Sequence, residues 1–274
     1  MRPGVVFVNP QSGRGDVGDE LARCFAGHRL VECEGEGLRA SVEQALADGA
    51  GFVGVAGGDG SIGAAAAVLA GTGVPLLAVP AGTRNHFARH LGIETLADAA
   101  AASNLSTVDL GQVNGRVFVN NSSIGFYAAL VRERRRRSSR LPRAMADLSA
   151  AWAQARKGHR FRVRVGGVTY RAWLVFVGNG RYGDDLTRDA LDEQTLDVRV
   201  MRADRPLART RAVAALLFSR LGRSPLLVQR LVDTIDIDVL NRSFVDVALD
   251  GEVVRLENPL RYEVLPGALT VLVP

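Results

Sequence analysis

Residues 1–110 alternate short apolar runs with segments in which apolar residues recur every three or four positions. The first pattern predicts buried strands and the second predicts amphipathic helices. The predicted strands are Gly4–Val8, Leu30–Cys33, Phe52–Ala56 and Pro75–Val79, and the predicted helices are Val17–Ala26, Leu38–Ala47 and Ile62–Leu69. Strands without a polar face that alternate with helices predict an α/β domain with a mostly parallel sheet.

The pattern changes in residues 111–274, where apolar and polar residues alternate strictly along many segments. Examples are Leu196–Met201, Asp236–Leu240 and Phe244–Leu249, and two glycine-containing pairs, Asn114-Gly115 and Gly166-Gly167, separate runs of this kind. Such pairs favour tight hairpin turns. The sequence therefore predicts a second domain of antiparallel strands, a sandwich or a barrel, with inserted helices at Ala144–Arg156 and Ala208–Leu221.

Three polar, glycine-bearing loops follow the predicted parallel strands: Asn9–Gly15, Gly57–Ser61 and Ala81–Asn85. Ligands bind at this edge of parallel sheets, and glycine loops that lead into helices bring backbone N–H groups to phosphate. Asp59 is unexpected there, because a carboxylate beside phosphate requires a metal ion or a proton transfer. The alternative is three ordinary loops, with Asn85 capping the helix that follows.

Composition narrows the kinds of phosphate site that are available. The chain has 274 residues, a net charge of +5 and 47% hydrophobic residues, enough for a full core. Lys157 is the only lysine. A Walker-type loop and a protein-kinase site each require a lysine at the phosphates, so both are excluded. A nucleotide site in this chain therefore depends on backbone amides, arginine and metal.

Two acidic segments in the second half are candidates for chemistry. Asp250-Gly251-Glu252 follows a predicted strand, and in such a pair one carboxylate can hold a metal while the other takes a proton. The alternative is a surface hairpin turn. The second segment, Asp192-Glu193 with Asp197, has the oxygen ligands that bind a hard cation, and its alternative is a solvated loop.

A basic segment, Arg132–Lys157, combines many arginines with Leu141, Met145, Leu148 and Trp152. This combination favours contact with an anionic membrane surface, and the alternative is a solvated arginine-rich face. An aromatic fraction of 6% argues against a nucleic-acid partner. Two cysteines and an N-terminus without a signal-peptide pattern predict a cytoplasmic protein, here peripherally associated with the membrane. The oligomeric state stays open, a homodimer included.

Taken together, the loops resemble those of the diacylglycerol kinase catalytic family, which includes sphingosine kinases and bacterial lipid kinases. The resemblance rests on the order and spacing of five motifs: Asn9–Gly13, Gly57–Ser61, Gly82–Ala88, Asn120–Gly125 and Leu249–Glu252. It implies an N-terminal nucleotide-binding domain similar to that of phosphofructokinases and NAD kinases, spanning residues 1–110. It also implies a C-terminal antiparallel β-sandwich for the lipid, spanning residues 111–274. The activity implied is ATP- and Mg²⁺-dependent phosphorylation of a membrane lipid such as diacylglycerol.

The resemblance also implies roles for individual residues. Glu252 is similar to the general base of the family, with Asp250 and Asp59 supporting it or holding Mg²⁺. A structural metal at the acidic turn corresponds to Glu193 by its side chain and to Ala190 and Thr195 by their carbonyls. The residues expected at the nucleotide are Asn9, Pro10, Gln11, Ser12, Gly13, Gly57, Gly58, Asp59, Gly60, Ser61, Ile62, Gly63, Thr83 and Asn85.

The sequence departs from the family pattern at several positions. Ser61 replaces threonine, Ala64 replaces glutamate, His86 replaces aspartate, and Gln194 replaces the glycine of the acidic turn. These departures leave open a non-catalytic lipid or nucleotide sensor that has kept the fold. A third alternative is a kinase of soluble metabolites, because NAD kinases share the glycine-aspartate loop.

Overall fold

The structure is a computed structural model. It describes residues 3–9, 17–33, 37–82, 85–125, 160–183, 188, 190–204 and 226–274, without the side chains of residues 17 and 18. Several predicted features lie outside the described residues: the basic segment Arg132–Lys157, both inserted helices, residues 10–15 of the first loop, and residues 83 and 84 of the third.

The N-terminal half is an α/β domain with a parallel sheet, as predicted. Its strands are β1 (Val5–Val8), β2 (Arg29–Glu32), β3 (Val53–Gly57) and β4 (Leu76–Pro80), in the spatial order β2-β1-β3-β4. The helices are α1 (Val17–Cys24), α2 (Gly37–Ala47), α3 (Asp59–Leu69), α4 (His86–His90) and α5 (Leu96–Ala101). Strands β3 and β4 are almost wholly buried because both faces of the sheet are covered.

The predicted boundaries in this half differ from the observed ones by one or two residues, except at the start of α3. Helix α3 begins at Asp59, three residues before the predicted start at Ile62. The sequence predicts a glycine-rich turn at Gly57–Ser61 before this helix. In the structure, Gly58 is the N-cap, and its carbonyl accepts hydrogen bonds from the N–H groups of Ser61 and Ile62. Asp59 therefore lies in the first turn of a helix.

The C-terminal half is a domain of antiparallel strands, which confirms the second part of the predicted fold. Its strands are β5 (Asn104–Val113), β6 (Arg116–Phe118), β7 (Asn121–Gly125), β8 (Phe161–Val165), β9 (Val168–Asn179), β10 (Leu196–Arg202), β11 (Leu227–Val232), β12 (Thr234–Val239), β13 (Phe244–Leu249), β14 (Glu252–Glu257) and β15 (Leu260–Val273). The pairs Asn114-Gly115 and Gly166-Gly167 form the predicted hairpin turns, with positive φ at every position.

A ribbon of two long strands connects the halves. Strands β5 and β15 pair antiparallel along almost their whole length, and the end of β15 lies parallel to β4 at Val271 and Leu76. Leu269 and Val271 are buried in the core of the α/β domain, whereas Tyr262 is buried in the second core. The division after residue 110 stays a prediction. The ribbon anchors the end of the chain in the N-terminal core.

The described helices are also informative about membranes. Within the ranges given above, no helix has both the length and the apolar character that crossing a bilayer requires.

Candidate active site

Two of the predicted phosphate loops touch each other. A Cβ atom on Gly82 would lie 2.5 Å from Cα of Gly58, closer than such atoms approach one another in proteins. The loops after β3 and β4 therefore meet through two glycines, which alone permit this backbone approach. The carboxyl ends of these neighbouring strands form one edge, as the sequence analysis expected.

Asn85 has a different role from the helix cap that the sequence suggested. It occupies the N-cap position of α4 in a left-handed conformation, but its side chain makes no capping hydrogen bond. Its amide instead accepts from the N–H of Gly82 at 2.9 Å and donates to the carbonyl of Gly82 at 3.0 Å. The capping prediction was wrong because a closer backbone partner satisfies the amide.

Asp59 lies at the junction of these loops. Its carboxylate accepts hydrogen bonds from the backbone N–H groups of Phe87 at 2.9 Å and His86 at 3.3 Å. Those N–H groups belong to the first turn of α4, where intrahelical partners are missing. The position that the family fills with aspartate, residue 86, thus contributes a backbone donor to Asp59.

Asp250 comes from the other half of the chain. Its carboxylate accepts three backbone N–H groups, those of Val119, Asn120 and Asn121, at 2.8, 2.8 and 3.1 Å. Burial raises the pKa of Asp250 to about 6, the three donors oppose this rise, and the nearby charge of Asp59 adds to it. Asp250-Gly251 does form a hairpin turn. The Asp250 carboxylate is directed inward, so the turn is not the surface hairpin that the sequence analysis gave as the alternative.

Asn120 joins the two carboxylates. Its backbone N–H holds Asp250, and its side-chain Nδ2 donates to Oδ1 of Asp59 over 3.5 Å. Asp59 and Asp250, which are far apart in sequence, therefore share one residue as a hydrogen-bond partner. This is the geometry of a single site built from both domains.

The buried residue Arg188 supports the arrangement of Asp59, Asn120 and Asp250. The residue is 4% exposed. Its guanidinium donates to the carbonyl oxygens of Val119 at 2.8 Å and Asn179 at 3.1 Å, and to Oδ1 of Asn120 at 3.3 Å. Arg188 therefore contacts the segment whose N–H groups hold Asp250.

Glu252 lies next to the first turns of α3. A Cβ atom on Gly60 would lie 3.9 Å from Oε1 of Glu252, and one on Gly63 would lie 3.0 Å from Oδ2 of Asp250. A Cβ atom at Gly63 would crowd the Asp250 carboxylate, whereas one at Gly60 would only touch Glu252 at an ordinary contact distance. The small residues of α3 therefore let the carboxylates approach its N-terminus.

A cavity of about 220 Å³ opens at this point between the two halves. The lining residues come from α2, α3, the β5–β6 turn and the β13–β14 hairpin: Arg39, Gly60, Gly63, Ala64, Ala67, Gly115, Arg116, Val117, Leu249, Asp250, Glu252 and Val254. Ala64, where the family has glutamate, leaves room in this cavity. The cavity thus combines both carboxylates of the hairpin with two arginines.

The acidic turn is a separate feature with its own hydrogen bonds. The Glu193 carboxylate accepts from the N–H of Arg181 at 2.6 Å, and the Thr195 carbonyl accepts from Gly180 at 2.9 Å. Gln194, which replaces a family glycine, has a left-handed φ of 52°, and its N–H donates to Asp109 at 2.6 Å. The turn keeps a conformation suited to glycine, which explains the family preference.

Side-chain ligands for a metal ion are few in the part of the chain that the structure describes. Across the described ranges, no group of three or more His, Cys, Asp or Glu side chains could hold a metal ion. The predicted structural site at Glu193, Ala190 and Thr195 depends mainly on carbonyl oxygens, so it stays a prediction.

The described members of the predicted nucleotide site lie along the same edge. Asn9 follows β1 and donates its N–H to Ala56 at the end of β3. Gly57, Gly58, Gly60, Ser61, Ile62 and Gly63 form the junction of β3 and α3. Residues 10–13 and Thr83 lie outside the described ranges. Their roles at a nucleotide remain predictions.

Sequence reasoning missed the residues that connect the halves. Asn120 was noticed only as part of a motif, and Arg188, Tyr182 and Asn179 were not singled out. The hydroxyl of Tyr182 donates to the carbonyl of Asn120 at 2.9 Å, and burial raises the pKa of Tyr182. The run Gly178–Tyr182, which directly follows the apolar run Trp173–Val177, was the available signal, since polar residues after strands often face a site.

The chain is similar to several known proteins. Residues 3–113 match the family described as diacylglycerol kinase catalytic domain. A Pseudomonas aeruginosa protein named "Probable lipid kinase YegS-like" is 32% identical over 289 residues, covering 98% of this chain and 93% of that protein. A Pseudomonas fluorescens protein of the same name is 31% identical over 258 residues, covering 85% of this chain and 81% of that protein.

The fold is also similar to that of a solved structure. A diacylglycerol kinase from Bacillus anthracis str. Sterne superposes with a TM-score of 0.71 at 22% identity, covering 100% of this chain and 97% of that chain. At this level of identity the match supports the two-domain fold alone.

Proposed function

Because the chain belongs to the diacylglycerol kinase catalytic family, we propose that it is a lipid kinase that uses ATP and Mg²⁺ to phosphorylate a hydroxyl of a membrane lipid such as diacylglycerol. The observation that carries the proposal is the meeting of Asp59 with Asp250 through Asn120. Phosphoryl transfer depends mainly on positioning and charge stabilisation, and a site shared by two domains supplies both.

Glu252 is the proposed general base. It lines the cavity beside the first turn of α3, at the edge where the predicted nucleotide loops converge. In the proposed step, the lipid hydroxyl loses its proton to Glu252 while its oxygen bonds to the γ-phosphorus of ATP. The bond from that phosphorus to the β–γ bridging oxygen breaks, and ADP leaves with the electron pair.

The carboxylates of Asp59 and Asp250 fit a divalent cation. Mg²⁺ in kinases is usually held by one or two carboxylates together with phosphate oxygens. Burial is the main cause of the raised pKa of Asp250, and the charge of Asp59 adds to it; a bound cation would relieve that repulsion. When bound, Mg²⁺ would neutralise charge on the transferring phosphoryl group. The protein's own part is to hold both carboxylates by backbone N–H groups, with Asn120 donating to each of them.

The lipid would enter through the cavity that contains Glu252. Arg39 and Arg116 line it, so a headgroup would meet both the base and positive charge. The basic segment Arg132–Lys157 is proposed as the contact with an anionic membrane surface. Binding to vesicles of anionic lipid should weaken as salt screens these charges.

The proposal is tested with radiolabelled ATP and a panel of hydroxyl-bearing lipids in mixed micelles, with and without Mg²⁺. The expected result is Mg²⁺-dependent label in at least one lipid, lost in Asp59→Asn. ATP binding without turnover on any lipid would favour a sensor. Turnover of a soluble acceptor alone would favour a metabolite kinase.

A further inference from the structure

We infer that Arg188 and Asn120 form a positioning pair for the phosphoryl-transfer site, in which Arg188 orients the Asn120 amide toward Asp59. The inference rests on the proposed function and extends it to two residues without an assigned role. Neither residue needs to touch a substrate for the pair to act.

The chemistry of the two side chains fixes the orientation of the amide. An asparagine presents either an oxygen acceptor or an NH₂ donor, and arginine has donors only. The Nη2 atom of Arg188 lies 3.3 Å from Oδ1 of Asn120. The oxygen must therefore face Arg188, which leaves Nδ2 to face Oδ1 of Asp59. Without Arg188, the amide can turn its oxygen toward the carboxylate and repel it.

Arg188 also fixes the backbone on which Asn120 sits. Its Nη1 atom donates to the carbonyl of Val119, and the N–H groups of Val119 and Asn120 both hold Asp250. One guanidinium thus acts on Asp59 through an amide side chain and on Asp250 through the main chain. These are the two carboxylates assigned to the site.

A second buried arginine, Arg199, has different hydrogen-bond partners from those of Arg188. Arg199 is as buried as Arg188, each 4% exposed, but Arg199 donates to the Asp197 carboxylate at 2.7 Å. Among the described residues, Arg188 donates only to two carbonyls and an amide. Burial lowers the pKa of Arg188, and nearby groups including Asp250 and Asp59 oppose that fall.

This contrast indicates what keeps a charged Arg188 buried. A buried cation without a bonded carboxylate is unfavourable unless negative charge lies nearby. Among the described residues, the groups that favour a charged Arg188 are Tyr182, Asp250 and Asp59, whereas Arg199 is bonded to the Asp197 carboxylate. The two arginines are therefore a matched pair for mutation.

The test is a double-mutant cycle on lipid phosphorylation with Arg188→Lys and Asn120→Ala. Each single variant should lower kcat by about 10- to 100-fold, as loss of supporting hydrogen bonds around a site does. The KM for ATP should change by less than about 3-fold, because the pair acts on orientation. The double variant should be little slower than the slower single variant.

Arg199→Lys is the control, measured at a temperature at which all variants are folded. It should lower the melting temperature and keep kcat near that of the wild type. Losses in kcat that multiply in the double variant, or an Arg188→Lys variant with wild-type kcat, would overturn the inference. A wild-type protein that phosphorylates no lipid would instead overturn the proposed function, and the inference with it.

Asn120→Asp tests the same idea if Arg188→Lys does not fold. The new carboxylate keeps Arg188 fully bonded and places negative charge against Asp59. The expected result is a folded protein with kcat reduced about 10-fold or more and a nearly unchanged KM for ATP. Wild-type kcat in this variant would contradict the inference.

Discussion

Two hairpin turns of the C-terminal half have the same backbone and different roles. Asn114-Gly115 joins β5 to β6 with φ values of 45° and 77°, and Asp250-Gly251 joins β13 to β14 with 46° and 86°. The Asn114 amide donates to the carbonyls of Glu257 and Pro259 and accepts from the N–H of Arg261. The Asp250 carboxylate accepts three N–H groups, those of Val119, Asn120 and Asn121.

The difference shows what a turn motif can and cannot specify. Positive φ at two successive positions favours Asn-Gly or Asp-Gly, so the motif determines the backbone. The motif does not determine whether the first residue of the turn is Asn or Asp. That choice depends on the hydrogen-bond partners of its side chain, which are distant in sequence. Asn114 faces both acceptors and a donor, which only an amide satisfies. The Asp250 side chain faces donors alone, which a carboxylate satisfies.

The largest effect should come from the carboxylate that follows the second turn. Glu252→Gln keeps the shape and removes the proposed base, so kcat for lipid phosphorylation should fall by about 100- to 10,000-fold. The affinity for ATP should stay nearly the same. The matched control is Glu257→Gln, at the other end of β14, which should leave kcat unchanged. Equal kcat for the two variants would remove Glu252 from the mechanism.

The second effect concerns the pH dependence of stability. Because the folded pKa of Asp250 is raised from 3.8 to about 6, the unfolded chain releases this proton first as pH rises. The contribution of Asp250 to stability therefore falls between about pH 4 and pH 7, by about 3 kcal/mol in total. Asp250→Asn lacks this titration.

Urea unfolding of both proteins across this pH range measures the effect. The free energy of unfolding of the wild type should decline relative to that of Asp250→Asn as pH rises. A difference that stays constant with pH would mean that the Asp250 carboxyl is not perturbed by its surroundings.

The third effect comes from replacing the amide of Asn114, in the first turn, by a carboxylate. Asn114→Asp places a carboxylate against the carbonyls of Glu257 and Pro259, so two donors are lost. We expect a loss of about 1–3 kcal/mol in the free energy of unfolding at pH 7. The kcat of the folded protein should not change. A large loss of kcat would show that this turn also serves the site.

The smallest effect compares the two glycines. A Cβ atom on Gly115 or Gly251 would meet no atom within 4 Å, so an alanine strains only the backbone. Gly115→Ala and Gly251→Ala should each destabilise the fold by about 1–2 kcal/mol. Only Gly251→Ala should lower kcat, since its neighbours are Asp250 and Glu252. Equal kcat values would show that the site tolerates movement of the hairpin.

Much of the fold could be predicted from periodicity, because buried parallel strands and alternating antiparallel strands leave different patterns. The start of α3 could not be predicted from the sequence, because glycines weaken the pattern that indicates a helix. The conformation of the loop before α3 depends on the packing of Gly82 against Gly58. The carboxylates could be found because they sit in short motifs.

Their connection could not be predicted in the same way. The hydrogen bonds between Asn120 and Asp59, and between Arg188 and Asn120, join residues 61 and 68 positions apart. No local pattern marks such pairs, and only the folded chain brings them together. The residues that support the site were therefore missed, although those proposed to carry the chemistry were found.

The central claim is that Asp59 and Asp250 act as one unit. A double-mutant cycle with Asp59→Asn and Asp250→Asn on kcat for lipid phosphorylation tests it most directly. If the claim is correct, each single variant loses most of the activity and the double variant is slower than the slower single by less than about 3-fold. Losses that multiply, or wild-type kcat in either single variant, would contradict it.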